Sequence, residues 1–165
     1  MTRTMTIASI VTVALLCFAS CKAPAQTAST GVASLDGDFE RSALIIESDD
    51  GLQHEFEIYL ATTYEHQRQG LMFVRKMPQN MGMLFVYGQS KSRAMWMKNT
   101  YISLDLVFAR SDGTVSSIIH DAPPLTLDAR SSVEPVTFVL ELNAGTARRL
   151  NIGGRSRIIW EPTKQ

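Results

Sequence analysis

The sequence contains very little cysteine. Its only two cysteines, Cys17 and Cys21, lie among the first 21 of 165 residues. Cys17 falls within an apolar N-terminal segment that we expect export to remove, so the mature chain has no two cysteines to join. An intrachain disulfide is therefore excluded, although an oxidising compartment would permit one. The domain must be held by its hydrophobic core, and about 140 residues are enough to build one.

The sequence also lacks an excess of charge of either sign. Sixteen basic residues balance sixteen acidic ones, and no basic arm or RNA-binding motif is present. A neutral chain has no general field that would attract a polyanion. Nucleic acid is therefore excluded as a partner.

The longest uncharged apolar run is too short to cross a membrane. It covers residues 5–18 and follows a single positive charge, Arg3. A transmembrane helix needs about 20 apolar residues, whereas a shorter run behind a basic residue is typical of a secretory signal. Residues 1–20 are accordingly predicted to be a signal peptide.

Two cleavage sites compete after this run. The segment from Phe18 to Cys21 resembles a bacterial lipobox, in which the cysteine thiol receives a lipid; Ala23-Pro24-Ala25 is an A-x-A pattern that would release a soluble periplasmic protein after Ala25. The lipobox is favoured because cysteine is rare and Cys21 directly follows the apolar run. The sequence thus predicts a cell-envelope lipoprotein that is anchored to the membrane through Cys21 and faces the periplasm.

The remaining chain divides into three parts. Residues 21–38 are rich in Ala, Thr and Ser and are predicted to be the lipidated cysteine and a disordered tether; residues 39–161 form the domain, and 162–165 a tail. From Phe39 onwards, short apolar runs alternate with turn signals, which predicts a mainly β, single-domain sandwich or barrel-like fold. The predicted strands are 43–47, 54–60, 83–87, 93–98, 103–110, 115–119, 136–142 and 155–160.

Two segments interrupt the strand pattern with helix signals. Thr62 followed by Glu65 is a capping-box pattern and Gly70 is a stop signal, so a short helix is predicted over 63–69. A second small helix is predicted over 144–150, before Gly153.

Five blocks in order resemble an uncharacterised prokaryotic family, domain of unknown function 192. The resemblance extends from about His54 to Ile159 and implies a compact, mainly β fold, often exported, with no agreed reaction. No catalytic residue is therefore implied. The blocks are RQGLM with Arg75, GMLF, WMKNT, LDLVF, and VLEL followed by Gly145.

Polar residues on half-apolar strand faces are the candidates for a site. Side chains alternate along a strand, so Asp105 shares a face with Val107, Glu141 with Val139, and Trp96 with Lys98. If the strands are neighbours, these residues line one concave, ligand-binding surface. The complete candidate set is Trp96, Lys98, Asn99, Asp105 and Glu141, with Arg68 or Arg75 from the helical region.

Two other interpretations of the same residues remain open. Lys98 with Asp105, and Arg68 with Glu141, are equally explained as ion pairs that satisfy half-buried charges, and Asn99 as a turn residue. Alternatively, Asp105 and Glu141 are the acid and base of a hydrolase acting on an envelope glycan or a small substrate, although no nucleophile motif accompanies them.

Metal and cofactor signals are weak. Six methionines within residues 72–97 are soft donors of the kind that bind Cu(I), but core packing is the favoured explanation for Met83, Met95 and Met97. The three histidines have no metal-binding spacing. No cofactor or metal is predicted. The favoured function is a non-catalytic module that binds a small anionic or sugar-like ligand; a structural module without a ligand is a further alternative.

Overall fold

Nine strands and two short helices make up residues 32–162, the part of the chain that the computed structural model describes. Their bounds are β1 Glu40–Glu47, β2 Gln53–Ala61, α1 Tyr64–Gln69, β3 Met81–Lys91, β4 Ala94–Met95, β5 Leu104–Ala109, β6 Val115–Ala122, β7 Arg130–Ser131, β8 Val136–Asn143, α2 Thr146–Arg149 and β9 Arg157–Ile159.

Seven of these strands form one curled sheet in the order β6-β5-β8-β3-β2-β1-β9. Neighbours are antiparallel except β2 and β3, which run parallel because α1 and the following loop carry the chain across the sheet between them. The two edges meet at a bridge between Thr114 and Arg157, which curls the sheet into a half-barrel. The predicted mainly β domain with two short helices is confirmed.

The turn between β5 and β6 also brings the two sheet edges together. Gly113 has a φ of 84° there, and a Cβ atom on it would lie 2.1 Å from the Ile158 carbonyl oxygen. The Ile158 N–H donates to the Gly113 carbonyl at 2.8 Å. Only glycine fits this approach, so the predicted hairpin turn is confirmed and also closes the barrel edge.

Apolar residues are buried on both faces of the sheet. The inner face, enclosed by the curl, gathers side chains from β1, β2, β5, β8 and α2. The outer face is covered by the N-terminal segment, by the chain that follows α1 and by the loop around Met97. Met83, Met95 and Met97 are buried here, which confirms that they are core residues.

The domain begins earlier than Phe39. Val32 and Leu35, which the sequence assigned to the tether, are buried in the outer core. The Val32 N–H donates to the Tyr59 hydroxyl at 2.6 Å, and that hydroxyl donates to Asp36 at 2.7 Å. The predicted signal peptide, the lipidation at Cys21 and the alternative cleavage after Ala25 lie outside the described residues.

Three local predictions need correction. The α1 cap is Thr63, whose hydroxyl accepts from the His66 N–H at 3.2 Å, and not Thr62. Strand β4 has two residues because only Ala94 and Met95 pair, with the unpredicted β7. Helix α2 has four residues. Within residues 32–162 no helix is long and apolar enough to span a bilayer.

Candidate functional site

The outer face of the sheet carries two adjoining depressions. A small inner pocket of about 80 Å³ lies between α1 and the segment that follows β4, and Glu141 contributes to its lining. An open outer groove of about 820 Å³ adjoins it, lined by Tyr64, Phe73 and Asn99 among others. Three predicted residues, Arg68, Trp96 and Lys98, line both. The two depressions therefore form one continuous candidate site.

Trp96 and Lys98 point outward because their neighbours are anchored inward. Met95 and Met97 are buried in the outer core, so Trp96 between them and Lys98 after Met97 must face the opposite way. The Met97 N–H donates to the Thr126 carbonyl at 3.0 Å, which fixes the segment although it is not part of a longer strand. The predicted alternation from Met95 to Lys98 is thus confirmed.

Trp96 and Lys98 also contact each other. The Lys98 ammonium lies 5.5 Å from the centroid of the Trp96 ring, within cation–π range. Trp96 is 48% exposed, which is unusual for so large an apolar side chain. An exposed indole beside a cation at the rim of a groove is available to a ligand rather than committed to the core.

Helix α1 supplies Arg68, and two contacts hold this helix on the sheet. The Gln67 side-chain amide donates to the Val86 carbonyl of β3 at 2.9 Å. Gly70 ends the helix with a φ of 50°, and a Cβ atom there would lie 3.1 Å from the Phe85 ring. The helix end therefore sits directly on the sheet, which leaves Arg68 at the rim of the inner pocket.

Glu141 is a buried carboxyl group with no partner among the described residues. It is 4% exposed, and its neighbours across the sheet on the same face are Met83 and Leu106, both fully buried. No hydrogen bond or ion pair within residues 32–162 compensates for this apolar setting, and the loss of solvation raises the pKa of Glu141 from 4.5 to about 8. Its side chain is therefore largely protonated at neutral pH.

Tyr87 is a second polar side chain of the inner pocket and is half-buried. Its hydroxyl lies 3.7 Å from the Met95 sulfur, and the Arg93 guanidinium stacks 3.8 Å from its ring centroid. Burial raises the pKa of Tyr87 to about 12, with a smaller opposing effect of Arg93. Tyr87 is thus a neutral hydroxyl group near Glu141.

Asp105 does not belong to this site. It pairs with Leu142 across the β5–β8 ladder while Glu141 pairs with Leu106, so the two carboxyl groups lie on opposite faces of the sheet. Asp105 is fully buried and accepts from the N–H of Asp121 at 2.9 Å and of Ala147 at 2.8 Å. Its carboxylate therefore stabilises the start of α2. The predicted hydrolase pair is wrong in geometry, because two carboxyl groups must flank one bond.

The predicted ion pairs are also absent. Among the ion pairs of residues 32–162, none joins Lys98 to Asp105 or Arg68 to Glu141. The exposed Lys98 lies over Trp96, and Glu141 has no charged partner in the described part of the chain. The structure therefore does not support ion pairs between Lys98 and Asp105 or between Arg68 and Glu141.

The two remaining candidates differ in position. Arg75 lines neither depression, and its guanidinium stacks 4.4 Å from the Tyr101 ring centroid. Asn99 lines the outer groove and has a φ of 56°, a left-handed conformation that asparagine tolerates; its carbonyl accepts from the Phe73 N–H at 2.7 Å. Asn99 is therefore a turn residue that also contributes to the groove.

Sequence reasoning missed several residues of the site. Tyr64 and Phe73, 72% and 57% exposed, flank the outer groove, and Tyr87 and Thr100 line the inner pocket. Alternation from Met83 and Phe85 places Tyr87 on their face, but nothing in the sequence places β3 beside Glu141. Among the described residues no group of three or more His, Cys, Asp or Glu side chains is arranged to hold a metal ion.

Comparison with known proteins identifies the class to which the fold and site belong. The model of the DUF192 family, described as "Uncharacterized ACR, COG1430", matches residues 45–160. The chain belongs to this family, and the predicted resemblance is confirmed.

Two solved structures share the fold. One is from Sinorhizobium meliloti 1021 and is described as a "putative transcription regulator"; it is 39% identical, with a TM-score of 0.72 over 73% of this chain and 94% of that chain. The other, from Novosphingobium aromaticivorans DSM 12444, is described as a protein of unknown function and is 31% identical, with a TM-score of 0.72 over 75% and 88% of the two chains. No curated protein matches the chain.

Proposed function

We propose that this protein is a cell-envelope binding module that holds a small anionic or sugar-like ligand beside Trp96 without transforming it. The observation that carries the proposal is the convergence of Arg68, Trp96 and Lys98 on one groove. Within residues 32–162 none of the three satisfies a buried partner, so all three are available to a ligand. Concave sites with an apolar wall and a few convergent polar groups are the usual form of ligand sites.

The composition of the groove favours an anionic or hydroxyl-rich ligand. Two cationic side chains line it against one acidic side chain, Glu65. Tyr64, Phe73 and Trp96 expose aromatic rings around it, and exposed apolar groups rimmed by polar ones are typical of binding grooves. Rings of this kind suit the flat apolar face of a sugar, while guanidinium and ammonium groups donate to carboxylate or hydroxyl oxygens.

The envelope location is part of the proposal and rests on the sequence. An apolar run of signal-peptide length ends at Phe18-Ala19-Ser20-Cys21, and lipid on Cys21 would place the site close to the membrane surface facing the periplasm.

Fluorescence of Trp96 tests the binding proposal. Trp160 is the only other tryptophan, so Trp160→Phe leaves Trp96 as the single reporter. We expect a saturable change with at least one of glucuronate, glucose and inorganic phosphate, and its loss in the double variant Arg68→Ala, Lys98→Ala. Arg149→Ala, which removes an exposed cation on α2, is the matched control. A response that survives the double variant, or no response to any of the three probes, would overturn the proposal and favour a module without a small ligand.

A further inference from the structure

We propose that the inner pocket receives the acidic group of the ligand and that Glu141, as a neutral acid, donates its proton in a hydrogen bond to that group. This deepens the proposed function and rests on it. It assigns the ligand to acids, such as acidic sugars, rather than to neutral sugars, and it makes binding depend on the protonation of one residue.

The setting of Glu141 supports this assignment. Glu141 is a carboxyl group that is 4% exposed and flanked by Met83 and Leu106, and no protein group within residues 32–162 forms a hydrogen bond with it. Buried polar groups in folded proteins are normally satisfied, and an exception requires an explanation. Since Glu141 lines a pocket rather than a sealed core, a ligand group is able to satisfy it.

The size of the inner pocket suits a single terminal group of a ligand. At about 80 Å³ it is far smaller than the roughly 300–1,000 Å³ that enclose a drug-sized ligand. It admits a terminal group, while the adjoining outer groove of about 820 Å³ has room for the rest of the molecule. Because Arg68, Trp96 and Lys98 line both spaces, a ligand that spans the two passes directly beside them.

The charges around the inner pocket favour an anionic group. Arg68 on α1 and Lys98 after β4 are the cations of its lining, and Arg93 lies behind Tyr87 of β3. The β5 residue opposite Glu141 is the apolar Leu106, so this strand contributes no charge there. These surroundings attract an anion and repel an amine. An entering carboxylate meets two positive side chains at the rim and a hydrogen-bond donor, the Glu141 O–H, inside.

The protonation dependence follows from this arrangement. Deprotonation of Glu141 replaces the donor with a second negative charge facing the ligand, and no cation within residues 32–162 pairs with it. Affinity for the acid should therefore fall as the pH rises through the pKa of Glu141, near 8 in the free protein. Between pH 6 and pH 9 we expect the affinity for the acid to fall about tenfold.

The experiment compares glucuronate with glucose at pH 6 and pH 9, using Trp96 fluorescence in the Trp160→Phe protein with and without Glu141→Gln. Glutamine keeps a donor at every pH, so the variant should bind glucuronate with an affinity that hardly changes between the two pH values. The affinity of the protein with Glu141 for glucuronate should fall about tenfold from pH 6 to pH 9. At pH 6, glucose should bind this protein at least tenfold more weakly than glucuronate. An equal pH effect in both proteins would overturn the proposal.

A second measurement does not require a variant. The side-chain carboxyl ¹³C signal of Glu141 reports its titration directly, and saturation with glucuronate should move the midpoint to higher pH. An unchanged or lowered midpoint would contradict the proposal. Equal, pH-independent binding of glucose and glucuronate would reject the acid pocket but not the proposed function. No fluorescence change with glucuronate, glucose or inorganic phosphate would reject both.

Discussion

Glu141 should make the protein less stable as the pH rises from 5 to 8. Burial raises its pKa from 4.5 to about 8, so the folded protein holds this proton over a range in which the unfolded chain releases it. The stability that accompanies the neutral carboxyl group is therefore complete below about pH 4.5 and is lost progressively up to about pH 8. Each pH unit in this interval lowers the free energy of unfolding by about 1.4 kcal/mol. The total loss between about pH 4.5 and pH 7 is therefore roughly 3 kcal/mol.

The variant Glu141→Gln isolates this contribution. Its side chain has nearly the same shape and stays neutral, so the variant should exceed the stability of the original protein by less than about 1 kcal/mol at pH 5 and by about 3 kcal/mol at pH 7. For a domain of this size that difference corresponds to roughly 10 °C in the melting temperature. Urea unfolding at pH 5, 6, 7 and 8, followed by circular dichroism, measures the difference between the two proteins.

Asp50→Asn is the control for this series. Its carboxylate has a lowered pKa, mainly because the Ser48 hydroxyl donates to it at 2.5 Å, so it is ionised in the folded and unfolded states from pH 5 to 8. Its effect on stability should therefore stay constant over that range and change only at lower pH. Parallel stability curves for the original protein and Glu141→Gln would refute the reasoning about burial.

Three further predictions concern other residues. Lys98→Ala should lower the free energy of unfolding by less than about 1 kcal/mol, because Lys98 is exposed and its ammonium group lies over an exposed indole without an ion pair within residues 32–162; a larger loss in urea unfolding would restore the ion-pair interpretation. Asp105→Ala should cost about 2–5 kcal/mol in the same assay because two N–H groups lose their acceptor, and a cost below 1 kcal/mol would contradict its structural role. Cys21→Ala should move the protein from the membrane fraction to the soluble periplasm; unchanged fractionation, or a mature N-terminus at Gln26, would reject the lipid anchor.

The sequence by itself determined the local structure of the domain. Turn signals such as Gly113 and period-two alternation located most strands, and alternation alone placed Trp96 and Lys98 on the face opposite Met95 and Met97, which are buried. These inferences succeeded because each depends on neighbouring residues, whose relative sides are fixed by the geometry of one strand.

Tertiary structure decided which strand faces coincide. Alternation correctly grouped Asp105 with Val107 and Glu141 with Val139, but the β5–β8 register sets Leu106 opposite Glu141 and so separates the two carboxyl groups by the sheet. A shift of one residue in that pairing would have placed them on the same face. Register is fixed by contacts between residues far apart in the chain, which no local pattern encodes. The burial of Glu141, its unused hydrogen-bonding capacity and the cover provided by α1 follow from the same long-range packing.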